Sequence, residues 1–126
     1  MRRSPCGIDM VEVDRVRSAV ERYGDRFVNR VYTVSESGYC DARGPGRHMS
    51  YAARFAAKEA VAKALGTGFS RGVRPLQIEV ANLGGGAPAV NLYGRALEEL
   101  VSQGYESVAL SLTHTRGIAA AVAILT

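Results

Sequence analysis

Glu59 and Lys63 stand four residues apart in an alanine-rich segment, 51–65. On a helix they share one face, about one turn apart. Such a pair is ordinarily a solvated ion pair worth a few tenths of a kcal/mol. Two neighbouring features point elsewhere. The pair is followed at once by Gly66-Thr67-Gly68, a small-residue loop whose backbone amides can approach a phosphate closely. The surrounding alanines also favour tight contact with other backbone, a poor setting for an idle surface pair. The loop is not a P-loop, because its glycines follow the helix and the lysine precedes them. Asp9 lies between Ile8 and Met10 in an apolar run, so it either sits on an exposed strand face or binds a cation. Two carboxylates with a phosphate-binding lysine are the set that a magnesium–pyrophosphate site needs, since magnesium takes one or two carboxylates and completes its shell with waters and phosphate oxygens. His114 closes another apolar run and is followed by Thr115-Arg116-Gly117. A lone histidine is more often structural, but at a strand end beside hydroxyls and an arginine it also suits a phosphate. His48 has no such company and reads as structural. No Ser-His-Asp constellation is present, and neither Cys6 nor Cys40 has the surroundings of a nucleophile.

The elements that must hold these residues follow from periodicity. Cys6 to Val13 alternates as a strand and runs into a helix whose apolar positions are Val13, Val16, Val20 and Tyr23, with Gly24 as its stop. Phe27, Val28 and Val31 mark a short second helix. Thr33-Val34-Ser35-Glu36 has the form of a capping box and opens a third. After the loop Arg43-Gly44-Pro45-Gly46-Arg47, Ser50 is expected to cap the long helix 51–65, which Gly66 ends. Leu76 to Ala81 and Ala89 to Leu92 pair as a hairpin turned by Gly84-Gly85-Gly86. Leu97, Leu100 and Val101 form one face of a short helix ending at Gly104. Val108 to Thr113 and Ile118 to Leu125 are strands, and their apolar character implies burial on both faces, in the core or at a subunit interface. This order predicts one α+β domain over residues 1–126, a largely antiparallel sheet packed against a long central helix.

Composition restricts the class. The chain has 126 residues, 47% apolar and 22% charged, as an ordinary soluble globule does. No run of about 18 apolar residues spans a membrane, and the basic start leads into Gly7, Asp9 and Glu12 instead of a signal sequence. Two cysteines without CxxC spacing are expected to be reduced cytoplasmic thiols. Of 16 cationic residues, only Lys58 and Lys63 are lysine. Residues 1–74 carry 14 cations against 8 acids, and the remainder 2 against 4, so the positive half should attract an acidic partner. A nucleic-acid-binding module fits poorly: aromatic residues are few, the arginines are scattered, and no recognised motif is present.

Three motifs together resemble a known family. Gly7-Ile8-Asp9, the run Arg54-Phe55-Ala56-Ala57-Lys58-Glu59-Ala60 continued by Lys63-Ala64-Leu65-Gly66-Thr67-Gly68, and Ser111-Leu112-Thr113-His114-Thr115 are similar, in order and spacing, to the small single-domain 4′-phosphopantetheinyl transferases of the holo-[acyl-carrier-protein] synthase family. The resemblance implies transfer of 4′-phosphopantetheine from coenzyme A to a serine of apo acyl carrier protein, with release of adenosine 3′,5′-bisphosphate. It implies that Asp9, Glu59 and Lys63 are catalytic, with Asp9 and Glu59 as magnesium ligands. It assigns Arg54, Lys63, Gly66, Thr67, Gly68, His114 and Thr115 to coenzyme A, and Arg15, Arg22 and Arg26 to the carrier protein. It further implies a homotrimer whose active sites lie at subunit boundaries. Glu59, a nearby carboxylate or a water on the metal could each take the serine proton, and the carrier could serve fatty-acid or polyketide synthesis. Pro5 stands where the family usually has glycine, so the first strand is expected to begin after it or to lie on an edge.

Overall fold

A computed structural model describes residues 5–82 and 86–126. Residues 83–85, which include Gly84 and Gly85 of the expected hairpin turn, lie outside the described residues. Strand β1 (Cys6–Glu12) starts directly after Pro5 and passes without a loop into α1 (Val13–Tyr23), whose buried positions are Val13, Val16 and Val20. Gly24, at φ 56°, turns the chain into α2 (Asp25–Val31). The capping box forms as expected at the start of α3 (Val34–Asp41): the Glu36 amide donates to Thr33 Oγ1, and Glu36 Oε1 accepts from the Thr33 amide.

Helix α4 (Arg47–Leu65) begins three residues before Ser50. The Gly44–Gly46 turn, with Pro45 fixing its direction, feeds straight into the helix, so Ser50 is an interior residue. Its hydroxyl donates to Cys40 Sγ and accepts from Arg54 Nη1. The expected strand from Leu76 is displaced for a similar reason. Pro75 initiates a single 3-10 turn over Pro75–Gln77, and β2 runs Ile78–Asn82, pairing antiparallel with β3 (Pro88–Leu92). Helix α5 (Gly94–Ser102) then leads to β4 (Val108–His114) and β5 (Ile118–Leu125).

The pairing is antiparallel throughout and divides into a three-stranded sheet, order β1-β5-β4, and the separate two-stranded β2-β3 sheet. Helix α4 lies across β1 and β5, and its alanines are fully buried beneath it. Gly7 shows how close the approach is: a Cβ there would stand 2.1 Å from the Ala60 carbonyl oxygen and 2.7 Å from the Ala64 amide nitrogen. Small side chains on both surfaces bring the backbones together, which fixes Asp9, two residues along β1, against α4.

Within the single chain the terminal strands are buried on one face, so of the two expected settings, core or subunit interface, the core supplies only the inner one. Ala119, Ala121, Ala123 and Leu125 of β5 are buried against α4, while Ile118 and Ile124 on the other side are exposed. On β1, Ile8 and Met10 are 61% and 66% exposed. Helix α4 covers one face of the sheet, and among the described residues Ile8, Met10, Ile118 and Ile124 stay exposed on the other.

Candidate active site

Asp9 projects from the inner face of β1, in register with Ala121 of β5, toward the turns of α4 that carry Glu59 and Lys63. A cleft of about 460 Å³ opens there, and its walls include Asp9, Arg15, Phe27, Phe55, Glu59 and Lys63. Lys63 Nζ donates to Asp9 Oδ1 at 2.9 Å and to the Ile8 carbonyl at 3.0 Å. The ion pair therefore joins residues 54 apart in sequence, in addition to the one-turn neighbours that spacing alone identifies. Phe27 and Phe55 stack at 6.4 Å between centroids, and Tyr32 meets Phe27 edge-on at 6.0 Å. Phe27 and Phe55 give the cleft an apolar wall, with Tyr32 buried behind them.

The electrostatics of the cleft are those of a cation-seeking pair. Burial raises the pKa of Glu59 above the ordinary value of 4.5, the charge of Asp9 raises it further, and Lys63 opposes both. Two carboxylates that face one half-buried cleft fit a divalent cation, because bound positive charge removes their mutual repulsion. Among the described residues no group of three or more His, Cys, Asp or Glu side chains could hold a metal alone. Asp9 and Glu59 therefore suit magnesium, which needs few protein carboxylates and takes its remaining oxygens from water and phosphate.

A second cleft of about 620 Å³ lies against another face of α4 and shares no lining residue with the first. Tyr39, Arg43, Arg54, Asn82, Ser111 and His114 are among its walls. Arg54 is only 3% exposed, with its guanidinium 4.1 Å above the Tyr39 ring. Its Nη1 donates to Ser50 Oγ and its Nη2 to Asn82 Oδ1, while Nε is buried without a partner. A fixed guanidinium with donor capacity to spare, close to an exposed histidine, is a setting for an anion.

The other residues singled out by sequence are distributed around these clefts. In the Gly66–Gly68 loop, the Gly66 amide donates to Lys63 O and the Gly68 amide to Ala62 O, so two of its three amides cap α4. The Thr67 hydroxyl donates to Gly68 O. Thr115 builds the β4–β5 turn: its Oγ1 accepts from the amides of Gly117 and Ile118. Arg15 lines the first cleft, Arg22 rests on Tyr23, and Arg26 lines a shallow groove with Tyr23, Phe27 and Arg30. All three are exposed.

Sequence reasoning missed a buried polar node. Lys58 is 1% exposed, and its ammonium lies 2.7 Å from Glu36 Oε1. It is not a partner of Lys63 in the first cleft, since adjacent turns of α4 send the two lysines to different faces. The signal was present: Lys58 sits one turn after Arg54 in a run whose other members are alanine, phenylalanine and Glu59. A charge repeated at helical spacing within such a run must be paired where it is buried. Tyr39 and Asn82 carried no comparable signal.

Residues 5–123 match the 4′-phosphopantetheinyl transferase superfamily. A holo-[acyl-carrier-protein] synthase of Solibacter usitatus is 47% identical over 119 residues, covering 94% of each chain. Among solved structures, the holo-[acyl-carrier-protein] synthase of Helicobacter pylori in complex with coenzyme A is similar at a TM-score of 0.84 and 30% identity, over 96% of this chain and 99% of that one. The corresponding synthase of Neisseria meningitidis matches at a TM-score of 0.85 and 31% identity, over 98% and 99% of the two chains.

Proposed function

Because the chain belongs to the 4′-phosphopantetheinyl transferase superfamily, we propose that it is a magnesium-dependent holo-[acyl-carrier-protein] synthase, a single transferase domain over residues 1–126. It moves 4′-phosphopantetheine from coenzyme A to a serine of apo acyl carrier protein. The observation that carries this reading is the convergence of Asp9, Glu59 and Lys63 in one cleft, with Lys63 already 2.9 Å from Asp9.

The serine hydroxyl attacks the β-phosphorus of coenzyme A. A new serine O–P bond forms, the bond to adenosine 3′,5′-bisphosphate breaks, and the serine proton passes to a carboxylate of the cleft or to water. Negative charge develops on the phosphoryl oxygens and on the departing nucleotide, so positive charge placed beforehand lowers the barrier. Asp9 and Glu59 would hold magnesium, which supplies charge neutralisation on the pyrophosphate. The Lys63 ammonium, held on the rim of the cleft and half exposed, reaches the same phosphates as a point charge. Phe27 and Phe55 exclude water from one wall, and the backbone contact at Gly7 fixes the position of Asp9.

Arg54 and His114 bind the nucleotide end of coenzyme A in the second cleft, with Thr115 shaping the adjoining turn, and Gly66, Thr67 and Gly68, in the loop that ends α4 after Lys63, contribute further contacts to coenzyme A. Because the two clefts lie on different faces of α4, a site that uses both is best assembled from two subunits. The exposed Ile8, Met10, Ile118 and Ile124 supply an apolar sheet face for a homotrimer of that kind. Arg15, Arg22 and Arg26 on the exposed side of α1 and α2 steer the acidic carrier protein. A cytoplasmic setting suits Cys6 and Cys40, which are free thiols. Mass spectrometry of apo carrier proteins incubated with the enzyme, coenzyme A and magnesium tests the reading. The carrier should gain the mass of phosphopantetheine, and gain nothing when magnesium is removed with EDTA. An unmodified carrier at saturating coenzyme A and magnesium would overturn it.

A further inference from the structure

The β2–β3 hairpin supplies Asn82, Gly86 and Pro88 to the second cleft, yet it forms its own sheet and shares no strand ladder with β1, β5 and β4. Ile78 and Val80 of β2 enter the apolar core, and a set of buried polar groups attaches the hairpin as well. Lys58 Nζ, on α4, lies 2.7 Å from Glu36 Oε1 and donates to Pro75 O at 2.9 Å and to Ile78 O. Those three acceptors use all three of its protons. Glu36, on α3, accepts from the Val80 amide at 2.8 Å on Oε2 and from the Thr33 amide on Oε1. One ion pair thus gathers α3, α4, the 3-10 turn and the first residues of β2. One turn earlier on the same face of α4, Arg54 Nη2 donates to Asn82 Oδ1 at the far end of β2.

We infer that the Glu36–Lys58 pair is a positioning element for the coenzyme: it fastens β2 to α4 and so holds Asn82 against Arg54 in the second cleft. This rests on the reading of that cleft as the nucleotide site. A buried ion pair is an expensive way to fill space, and apolar residues of the same volume often stabilise a core as well or better. Leucine or methionine, however, could neither donate to the Pro75 and Ile78 carbonyls nor accept from the Val80 amide. The ionic node therefore ties a strand edge, which the sheet leaves unladdered, to the helix that carries Arg54. Lys58 and Glu36 touch no ligand; they act through Asn82 and Arg54.

The test uses Lys58→Met in the full chain, with adenosine 3′,5′-bisphosphate as the calorimetric probe and amide hydrogen exchange as the local one. Loss of the fastening should weaken binding of the probe about tenfold, the equivalent of about 1.4 kcal/mol, and raise the KM for coenzyme A. The KM for the carrier should stay at the wild-type value. Exchange of the Ile78–Asn82 amides should accelerate while β1 and β5 remain protected. Lys58→Arg, which keeps the charge and donors, should restore part of both effects. Wild-type affinity for the probe in Lys58→Met would overturn the inference, as would exchange that rises equally in β1 and β5, which marks a general loss of stability. If Lys58→Met does not fold, Glu36→Gln, which keeps the shape of the side chain, carries the same two measurements. Arg54→Ala separates the two levels of the argument. If Arg54→Ala leaves probe binding intact, the nucleotide-site reading fails and takes the inference with it. If Arg54→Ala weakens binding and Lys58→Met does not, the inference alone fails.

Discussion

Replacing Gly7 by alanine adds one methyl group to the contact between β1 and α4, and its consequence can be worked out from distances. The new Cβ would lie 2.1 Å from Ala60 O and 2.7 Å from Ala64 N, whereas ordinary contact begins at 3.4 Å. Both clashing atoms are backbone, so no side chain can rotate away. The strand must retreat from the helix by about 1.3 Å, or α4 must bend. Overpacking of a well-packed core costs about 1–3 kcal/mol, and a backbone-to-backbone clash belongs at the upper end. For a chain of this size, about 3 kcal/mol lowers Tm by about 10 °C. Activity should fall further than stability. Asp9 lies two residues beyond Gly7 on the same strand face, so the retreat carries its carboxylate away from Glu59 and Lys63, and a displacement of about 1 Å can cost about a hundredfold in rate. Differential scanning calorimetry and a transfer assay on the folded protein measure the two effects separately. Gly7→Ala with a wild-type Tm, or with kcat within twofold of wild type, would refute the claim that this contact positions Asp9.

Asp9→Ala and Glu59→Ala should each abolish transfer while the fold is retained; near-normal turnover at saturating magnesium in either variant would remove that residue from the site. Glu59 titrates above its ordinary value of 4.5 because of burial first and Asp9 second. In the metal-free protein its contribution to stability is complete below the unfolded value and is lost as pH rises through the raised one. Asp9→Asn should flatten that fall, as read from Tm across about pH 4 to 7, and an unchanged slope counts against the coupling. Arg15→Glu and Arg22→Glu should both raise the carrier KM, and Arg22→Glu, at a residue that does not line the first cleft, should leave the coenzyme KM nearly unchanged. The effect should shrink between about 0.1 M and 1 M salt as the Debye length falls from about 10 Å to about 3 Å; carrier kinetics that ignore these reversals at low salt exclude α1 as the docking surface. The exposed Ile8 and Met10 predict a trimer by sedimentation equilibrium that Ile8→Glu dissociates, and an active wild-type monomer would contradict it.

The sequence by itself determined the local elements and singled out Asp9, Glu59 and Lys63, three charged residues that the first cleft brings together. The capping box at Thr33, the apolar period of α1, the alanine run of α4 and the stop at Gly66 are signals read within a few residues, and each element formed where those signals stand. Glu59 and Lys63 were legible because helical spacing is a local rule. Where expectation slipped, a proline had more influence than the pattern: Pro45 moved the start of α4 ahead of Ser50, and Pro75 diverted Leu76 into a 3-10 turn. Only the tertiary structure decided what crosses the chain. It brought Asp9 to Lys63 across 54 residues, paired Lys58 with Glu36 in the interior, and set Arg54 between Tyr39 and Asn82. It also decided which face of β1 and β5 meets α4 and which stays exposed in the single chain. The physical reason is the range of the forces involved. Periodicity and capping act over three or four residues, while an ion pair or a packed face depends on which distant backbone arrives beside it. Here that was set by glycine and alanine at the crossing of β1 and α4, where the absence of side-chain bulk let the two backbones meet.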